Sequence, residues 1–295
     1  MTRVVILAVD AGGTSFKYAL LNDEDYSIIG KEQFYPISSF GTKEELLGSF
    51  FRLFKDAQKQ CDELSLTLSR VALSVPGPFD CARGVSLMKH KWLALKDVPL
   101  IDVFSTWRKD IPYSFLPDVH AFLLGEKYFG EAKDVQSTAA IIIGTGVGFG
   151  MWDGKRFIAD SLGLPKIGIY KIPYQDGVLE DFVSGRGVSA SYERKTGKVI
   201  SAKDIEDLAR KGDVVSRLVY EDMGAVLGSI VGGILSEYGM QAVVFGGRLS
   251  LAFDFFGQSF SRAICAEEKH IKVYQSHMLE HAAMKGVALW AKRMC

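Results

Sequence analysis

Apolar positions along the chain fall into two patterns. In Val4 to Thr14, VVILAVDAGGT, and in Ala139 to Gly150, AAIIIGTGVGFG, they form unbroken runs that stop abruptly in glycine-rich turns. Runs this short and this rich in Val and Ile predict buried strands. Strands are also predicted over Phe16–Leu21, Ile28–Pro36, Val71–Val75, Ile111–Leu116 and Ala242–Phe245, with Asn22 to Asp25 as a hairpin turn and Asp153-Gly154 as another. Elsewhere the apolar residues recur at helical spacing. Leu46, Leu47, Phe50, Phe51 and Phe54 predict a helix within Ser39–Asp62, with Thr42 and Glu45 spaced as a capping box. Further helices are predicted near Ile101–Lys109, after Asp118, over Ser201–Arg210 and Val214–Tyr238, and over His277–Lys292. Three strands, helices and strands, then the same again, describe a duplicated α/β unit.

The glycine turns carry the candidate chemistry. Glycine lacks the Cβ that would keep a ligand from the backbone N–H groups. In the first turn Asp10 stands at the strand end, followed by Gly12, Gly13 and Thr14; in the second, Thr145 lies between Gly144 and Gly146. Neither is followed by Gly-Lys-Ser/Thr, which excludes a Walker loop, and neither has dinucleotide spacing. Two such loops half a chain apart predict two similar domains gripping one phosphate chain. An acidic residue at a strand tip beside such a loop is where Mg2+ would be held, directly or through water. Asp118 follows a strand and opens a helix, which suits either an N-cap or ligand chemistry in an open α/β sheet. Pro76-Gly77-Pro78 fixes a rigid turn at another strand end, a hairpin corner or a wall of a substrate cleft.

Composition narrows the class. The 295 residues hold 35 Lys plus Arg and 35 Asp plus Glu, so no net charge points to nucleic acid or to a membrane surface. Ala225 to Leu235 is too short to span a bilayer and is broken by glycines. The four cysteines, Cys61, Cys81, Cys265 and Cys295, lack metal or redox spacing. With a strand starting almost at once, neither a signal peptide nor a DNA-binding helical module is expected ahead of Val4. A soluble, reduced, cytoplasmic protein is expected.

DAGGT at Asp10–Thr14, VPGPFD at Val75–Asp80, Asp118 before AFLLGE, IGTGVGFG at Ile143–Gly150 and FGGRLS at Phe245–Ser250 follow one another in the order found in the ROK-family sugar kinases of the actin-like ATPase superfamily. The chain resembles that family from about Val4 to the final helix. The resemblance implies an α/β fold of two duplicated actin-like ATPase (ribonuclease H-like) domains with a nucleotide and sugar cleft between them. Residues 1–118 and the C-terminal helix, about 277–295, would form the first domain, and residues 119–276 the second. It implies an ATP-dependent kinase of a sugar or sugar derivative. Asp10, Gly12, Gly13 and Thr14 would form the first phosphate loop, with Asp10 toward Mg2+. Thr145 and Gly146 would form the second, and Gly246 and Gly247 would pass under the adenosine. Asp118 would be the catalytic base; Gly77, His120 and Glu180 would face the sugar.

Departures from the family pattern accompany the matches. Pro117 stands where Asn usually precedes the base, and His120 stands where a second Asn is usual. Lys166 and Ile169 replace the Glu and His of the sugar-gripping segment. Tyr170 to Gly177 contains no cysteine, so the zinc bound by many members is not expected. His120 is read as a hydrogen-bonding or packing residue rather than a metal ligand. The rival to a kinase is a catalytically silent nucleotide- or sugar-binding sensor; a repressor is disfavoured. A homodimer through the apolar helices is compatible with the sequence. Poor activity on glucose is expected.

Overall fold

The structure is a computed structural model that describes residues 3–89, 91–264 and 270–293. Its chain divides into two units: Met1–Phe129 with Ala159–Leu164 and Glu280–Cys295, and Gly130–Ile158 with Pro165–Leu279.

The first unit is built on a five-stranded sheet of β1 (Arg3–Ala11), β2 (Ser15–Asn22), β3 (Ile28–Pro36), β4 (Leu66–Val75) and β7 (Tyr113–Pro117), in the order β3-β2-β1-β4-β7. Two-residue strands β5 (Phe79–Asp80) and β6 (Val85–Ser86) form a separate ribbon between β4 and β7. β1 and β2 form an antiparallel pair, whereas β1, β4 and β7 run parallel. Val5, Leu7, Val9 and Ala11 pack with Leu46, Phe50, Leu53 and Phe54 of helix α1 (Lys43–Glu63). Phe50 stacks on Phe16 with ring centroids 4.2 Å apart. The alternate residues Ile6 and Ala8 are equally buried. Strands covered on both faces have no polar alternation, which is why β1 reads as one apolar run. The capping box forms as expected: Thr42 accepts from Glu45 N–H, and the Glu45 carboxylate accepts from Thr42 N–H. The helix expected near Ile101–Lys109 is the short α2 (Leu100–Ser105).

Helices α3 (Asp118–Phe129) and α9 (Glu280–Arg293) pack on each other and on β4 and β7. Their approach is too close for side chains at the crossing: a Cβ on Gly125 would lie 1.9 Å from the Ala282 carbonyl oxygen, and one on Gly286 would lie 1.8 Å from that of Ala121. The units depart from the division expected after residue 118: α3 and Ala159–Leu164 fall in the first unit, and residues 277–279 in the second.

The second unit has a four-stranded sheet of β8 (Thr138–Ile143), β9 (Val147–Trp152), β12 (Ala242–Gly246) and β13 (Lys272–Gln275), ordered β13-β12-β8-β9. The hairpin β8-β9 repeats β1-β2, and the parallel β12 and β13 repeat β4 and β7. The expected third strand is absent among the described residues. A single bridge between Trp152 and Phe157 stands in its place, with a small ribbon of β10 (Pro173–Tyr174) and β11 (Gly177–Val178) further on. The remaining helices are α4 (Glu180–Val183), α5 (Gly185–Thr196), α6 (Ala202–Arg210), α7 (Val214–Glu237) and α8 (Phe253–Ile264). α7 is long and apolar enough to cross a membrane by composition. Here it is a core helix: Gly224, Gly228 and Gly232 line a groove that takes α8, with the Phe256 and Phe260 carbonyl oxygens 2.4 and 2.7 Å from where a Cβ would stand on the first two.

Candidate functional site

Within the first unit, the carboxyl ends of the parallel strands β1, β4 and β7 bring Asp10, Ser74 and Asp118 to one rim of the sheet, where open α/β sheets bind ligands. Asp10 is half-buried and its Oδ1 accepts from Ser74 Oγ at 3.1 Å. The turn that follows is braced from outside. Ser39 Oγ donates to the Gly13 carbonyl, and Ile37 N–H donates to the Thr14 carbonyl at 3.0 Å, while Thr14 itself is exposed. Gly12 has little room, since a Cβ there would sit 3.1 Å from the Ser15 carbonyl oxygen.

Asp118 is the first residue of α3, and its Oδ1 accepts from Val119 N–H at 2.7 Å. It keeps part of its surface open to solvent. Loss of hydration nevertheless pushes its carboxyl up to about 6, and the nearby Asp10 charge adds to the rise, while the Val119 N–H and the Lys91 ammonium oppose it. A carboxylate poised near neutrality is suited to taking a proton. Lys91 arrives from outside the motifs: its Cδ lies 3.2 Å from where a Cβ on Gly13 would stand.

His120, expected to face the sugar, has no exposed surface. Burial pushes its imidazole down to about 4, against the opposing effects of the Asp160 carboxylate and a hydrogen bond with the Gly163 backbone. It is a neutral, enclosed residue under the Ala159–Leu164 segment of the same unit. Pro117 is buried at the end of β7 opposite Val75. Gly77 is exposed in a turn where a Cβ would meet nothing within 4 Å.

In the second unit, β8 ends in the Gly144–Gly146 turn. Gly144 N–H donates to the Gly146 carbonyl and Gly185 N–H to the Gly144 carbonyl, both at 2.9 Å, which leaves Thr145 exposed at the tip. Glu180 is committed to this turn. Its Oε2 accepts from Val147 N–H at 2.9 Å and lies 2.6 Å from where a Cβ on Gly146 would stand; its Oε1 accepts from Arg186 at 2.9 Å. On the neighbouring parallel strand, Gly246 ends β12 and Gly247 follows it. Gly247 has φ +81°, and a Cβ there would sit 2.5 Å from the Ile143 carbonyl oxygen, so glycine alone fits. Ile169 belongs to the core with no exposed surface, and the exposed Lys166 places its ammonium 5.9 Å from the Tyr238 ring centroid.

The structure thus gathers Asp10, Gly12, Gly13, Thr14 and Asp118 at one rim, and Thr145, Gly146, Glu180, Gly246 and Gly247 at another. Ser39, Ser74, Lys91 and Arg186 escaped the sequence reading, because isolated Ser, Lys and Arg residues carry no spacing signal. The Asp10 carboxylate beside an open turn fits Mg2+, which keeps several waters and takes one or two carboxylates plus phosphate oxygens. Among the described residues no group of three or more His, Cys, Asp or Glu could hold a metal ion.

The xylose repressor of Caldicellulosiruptor bescii is 24% identical over 315 residues, covering 95% of this chain and 76% of the repressor. The N-acetyl-D-glucosamine kinase of Haemophilus influenzae is 25% identical over 277 residues, covering 87% and 88%. A solved ROK family glucokinase from Streptomyces griseus, in complex with glucose and AMPPNP, superposes with a TM-score of 0.80 at 20% identity, over 98% of this chain and 99% of that one. The chain accordingly shares the α/β fold of that structure. Relatives of this fold include both kinases and repressors. The ROK family model itself matches residues 6–294, and the chain belongs to the ROK family.

Proposed function

We propose that the chain is an ATP-dependent kinase that transfers a phosphoryl group to a hydroxyl of a sugar or sugar derivative. The observation that carries this reading is Asp118: a carboxyl held near neutrality at the end of β7, on the same rim as the Asp10–Thr14 turn. Phosphoryl transfer requires in-line positioning, charge neutralisation and a group that takes the proton of the attacking hydroxyl. Asp118 is the base. The Gly12–Thr14 and Thr145–Gly146 turns present backbone to the phosphates, and Gly246–Gly247 lets the adenosine approach the backbone. Glu180 holds the second turn in shape by accepting from Val147 N–H, so its part is to position phosphate-binding backbone as much as to meet a sugar. When bound, Mg2+ supplies charge neutralisation on the phosphates, and Asp10 is the residue that would hold it.

The sugar side differs from an ordinary hexose site. Pro117 and Ile169 offer no side-chain hydrogen bond, and Lys166 lies against Tyr238. The acceptor is therefore a modified sugar or a derivative rather than glucose. The same observation favours a second reading, a silent sugar or nucleotide sensor, and relatives named as repressors stand beside those named as kinases.

Coupled-enzyme detection of ADP from Mg-ATP against a panel of sugars, amino sugars and sugar acids separates the two. Sugar-dependent ADP release that Asp118→Asn abolishes supports the kinase. Binding of nucleotide or sugar with no ADP release from any acceptor supports the sensor and overturns the kinase.

A further inference from the structure

We infer that Lys91 is the cation that contacts the terminal phosphate of a bound nucleoside triphosphate, above the Gly12–Thr14 turn. The role presupposes the kinase reading and adds a residue that none of the motifs contains.

A lysine in a loop ordinarily extends its ammonium into water. Lys91 instead lies half-buried along the turn, with its Cδ, Cε and Nζ 3.2, 3.4 and 3.5 Å from where a Cβ on Gly13 would stand. Gly13 is what gives it that space, since any larger residue would meet its stem.

Its neighbour holds it there. Trp92 has no exposed surface and meets Phe16 and Phe50 edge-on, with ring centroids 5.7 and 5.8 Å away. Its φ of 50° lies in the left-handed region, a strained conformation for a bulky residue that persists only where the surroundings enforce it. Trp92 N–H donates to the Ser39 carbonyl at 3.0 Å, and the same serine's hydroxyl donates to the Gly13 carbonyl. Ser39 thus ties the phosphate turn and the Lys91–Trp92 segment to each other, and the Lys91 stem is held beside the turn.

The charges complete the case. Asp10 and Asp118 flank the turn, and Lys91 is the cation that acts on Asp118. Among the described residues no carboxylate lies within 4 Å of its ammonium to neutralise it. An ammonium over a glycine turn beside the base faces the place where the terminal phosphate would arrive carrying the charge to be stabilised. A carboxylate on the acceptor is the competing ligand, but the stem of Lys91 lies on the turn itself, so phosphate is the better match.

Equilibrium binding of Mg-ATP, Mg-AMPPNP and Mg-ADP to wild type and Lys91→Gln tests this, with Lys91→Arg as a charge-preserving control and thermal melting as a check on folding. A charge-assisted contact to one phosphate predicts that Lys91→Gln weakens ATP and AMPPNP by about tenfold or more and ADP by much less, and that Lys91→Arg recovers most of the loss. Equal weakening of ATP and ADP, or no change in either, overturns the inference. So does a change confined to the acceptor's constant, which would assign Lys91 to an anionic acceptor. Wild-type protein that binds no ATP sinks the kinase reading and this role with it, whereas normal ATP binding by Lys91→Gln removes only the role.

Discussion

If Asp118 is the base, its protonation should govern activity at mildly acid pH. The carboxyl is raised from 3.8 to about 6 by loss of hydration first and by the Asp10 charge, against the opposing pull of Lys91. At about 6, roughly nine-tenths of the free enzyme carries an ionised base at pH 7 and roughly one-tenth at pH 5. kcat/KM, which reports the free enzyme, should fall about tenfold between those values with a one-proton slope. An ordinary aspartate would lose only a few per cent over the same interval. Stability moves the other way. The folded state binds more protons than the unfolded one between about 4 and about 6, so the contribution of Asp118 is fully present below that window and is lost as pH rises through it. The ceiling on this loss is about 3 kcal/mol, and the partial exposure of Asp118 reduces it. Asp118→Asn removes the buried charge along with the base. It should lower turnover by roughly 10²–10⁴-fold while leaving ATP binding nearly unchanged and raising the melting temperature at pH 7 to 8 by a few degrees. Initial rates from pH 5 to 8, with melting curves of both proteins over the same range, measure all three quantities. A kcat/KM flat down to pH 5, or Asp118→Asn turnover within a few-fold of wild type, would refute the assignment.

Glucose should be a poor acceptor: with Pro117, Lys166 and Ile169 all unavailable, two or three hydroxyls lose partners at about 1–3 kcal/mol each, or roughly 10²-fold or more in binding. Saturation on glucose at a millimolar constant or below, with ordinary turnover, would contradict this. Gly247→Ala should destabilise the second unit by at least ~1–3 kcal/mol, since φ +81° and an Ile143 carbonyl 2.5 Å from the added Cβ both oppose it; an unchanged melting temperature would show that the turn relaxes freely. Purified protein should contain no stoichiometric zinc, and a zinc chelator that spares Mg2+ should leave its melting temperature unmoved. Stoichiometric zinc with a chelator-induced drop in melting temperature would reveal a missed site.

Much of this was legible in the chain because it is local. A strand buried on both faces must read as an unbroken apolar run, and a turn with no room for a Cβ must read as glycine; β1, β8, Gly12 and Gly247 all announce themselves this way. The capping box at Thr42 and Glu45 is set by a spacing of three residues, and it forms as read. The duplicated order of elements, and with it the ROK family, followed from motifs in sequence.

Side-chain partners far apart in the chain were decided only by tertiary structure. Glu180 bonds to a turn 33 residues away, and Ser39 to one 26 residues away. Ile169 and Lys166 occupy the positions of sugar ligands in the family pattern, yet one is core and the other lies against Tyr238. Among the described residues the second unit shows no third strand beside β9, where a single bridge between Trp152 and Phe157 forms, because a strand exists only where a neighbour accepts its hydrogen bonds. Asp118 and His120 stand two residues apart in one helix, and burial moves both toward their neutral forms. The carboxyl is thereby held near 6, fit to take a proton, while the imidazole is held near 4 and silent at neutral pH. No sequence pattern separates those fates; hydration does, and only the packing around each group determines how much hydration it keeps.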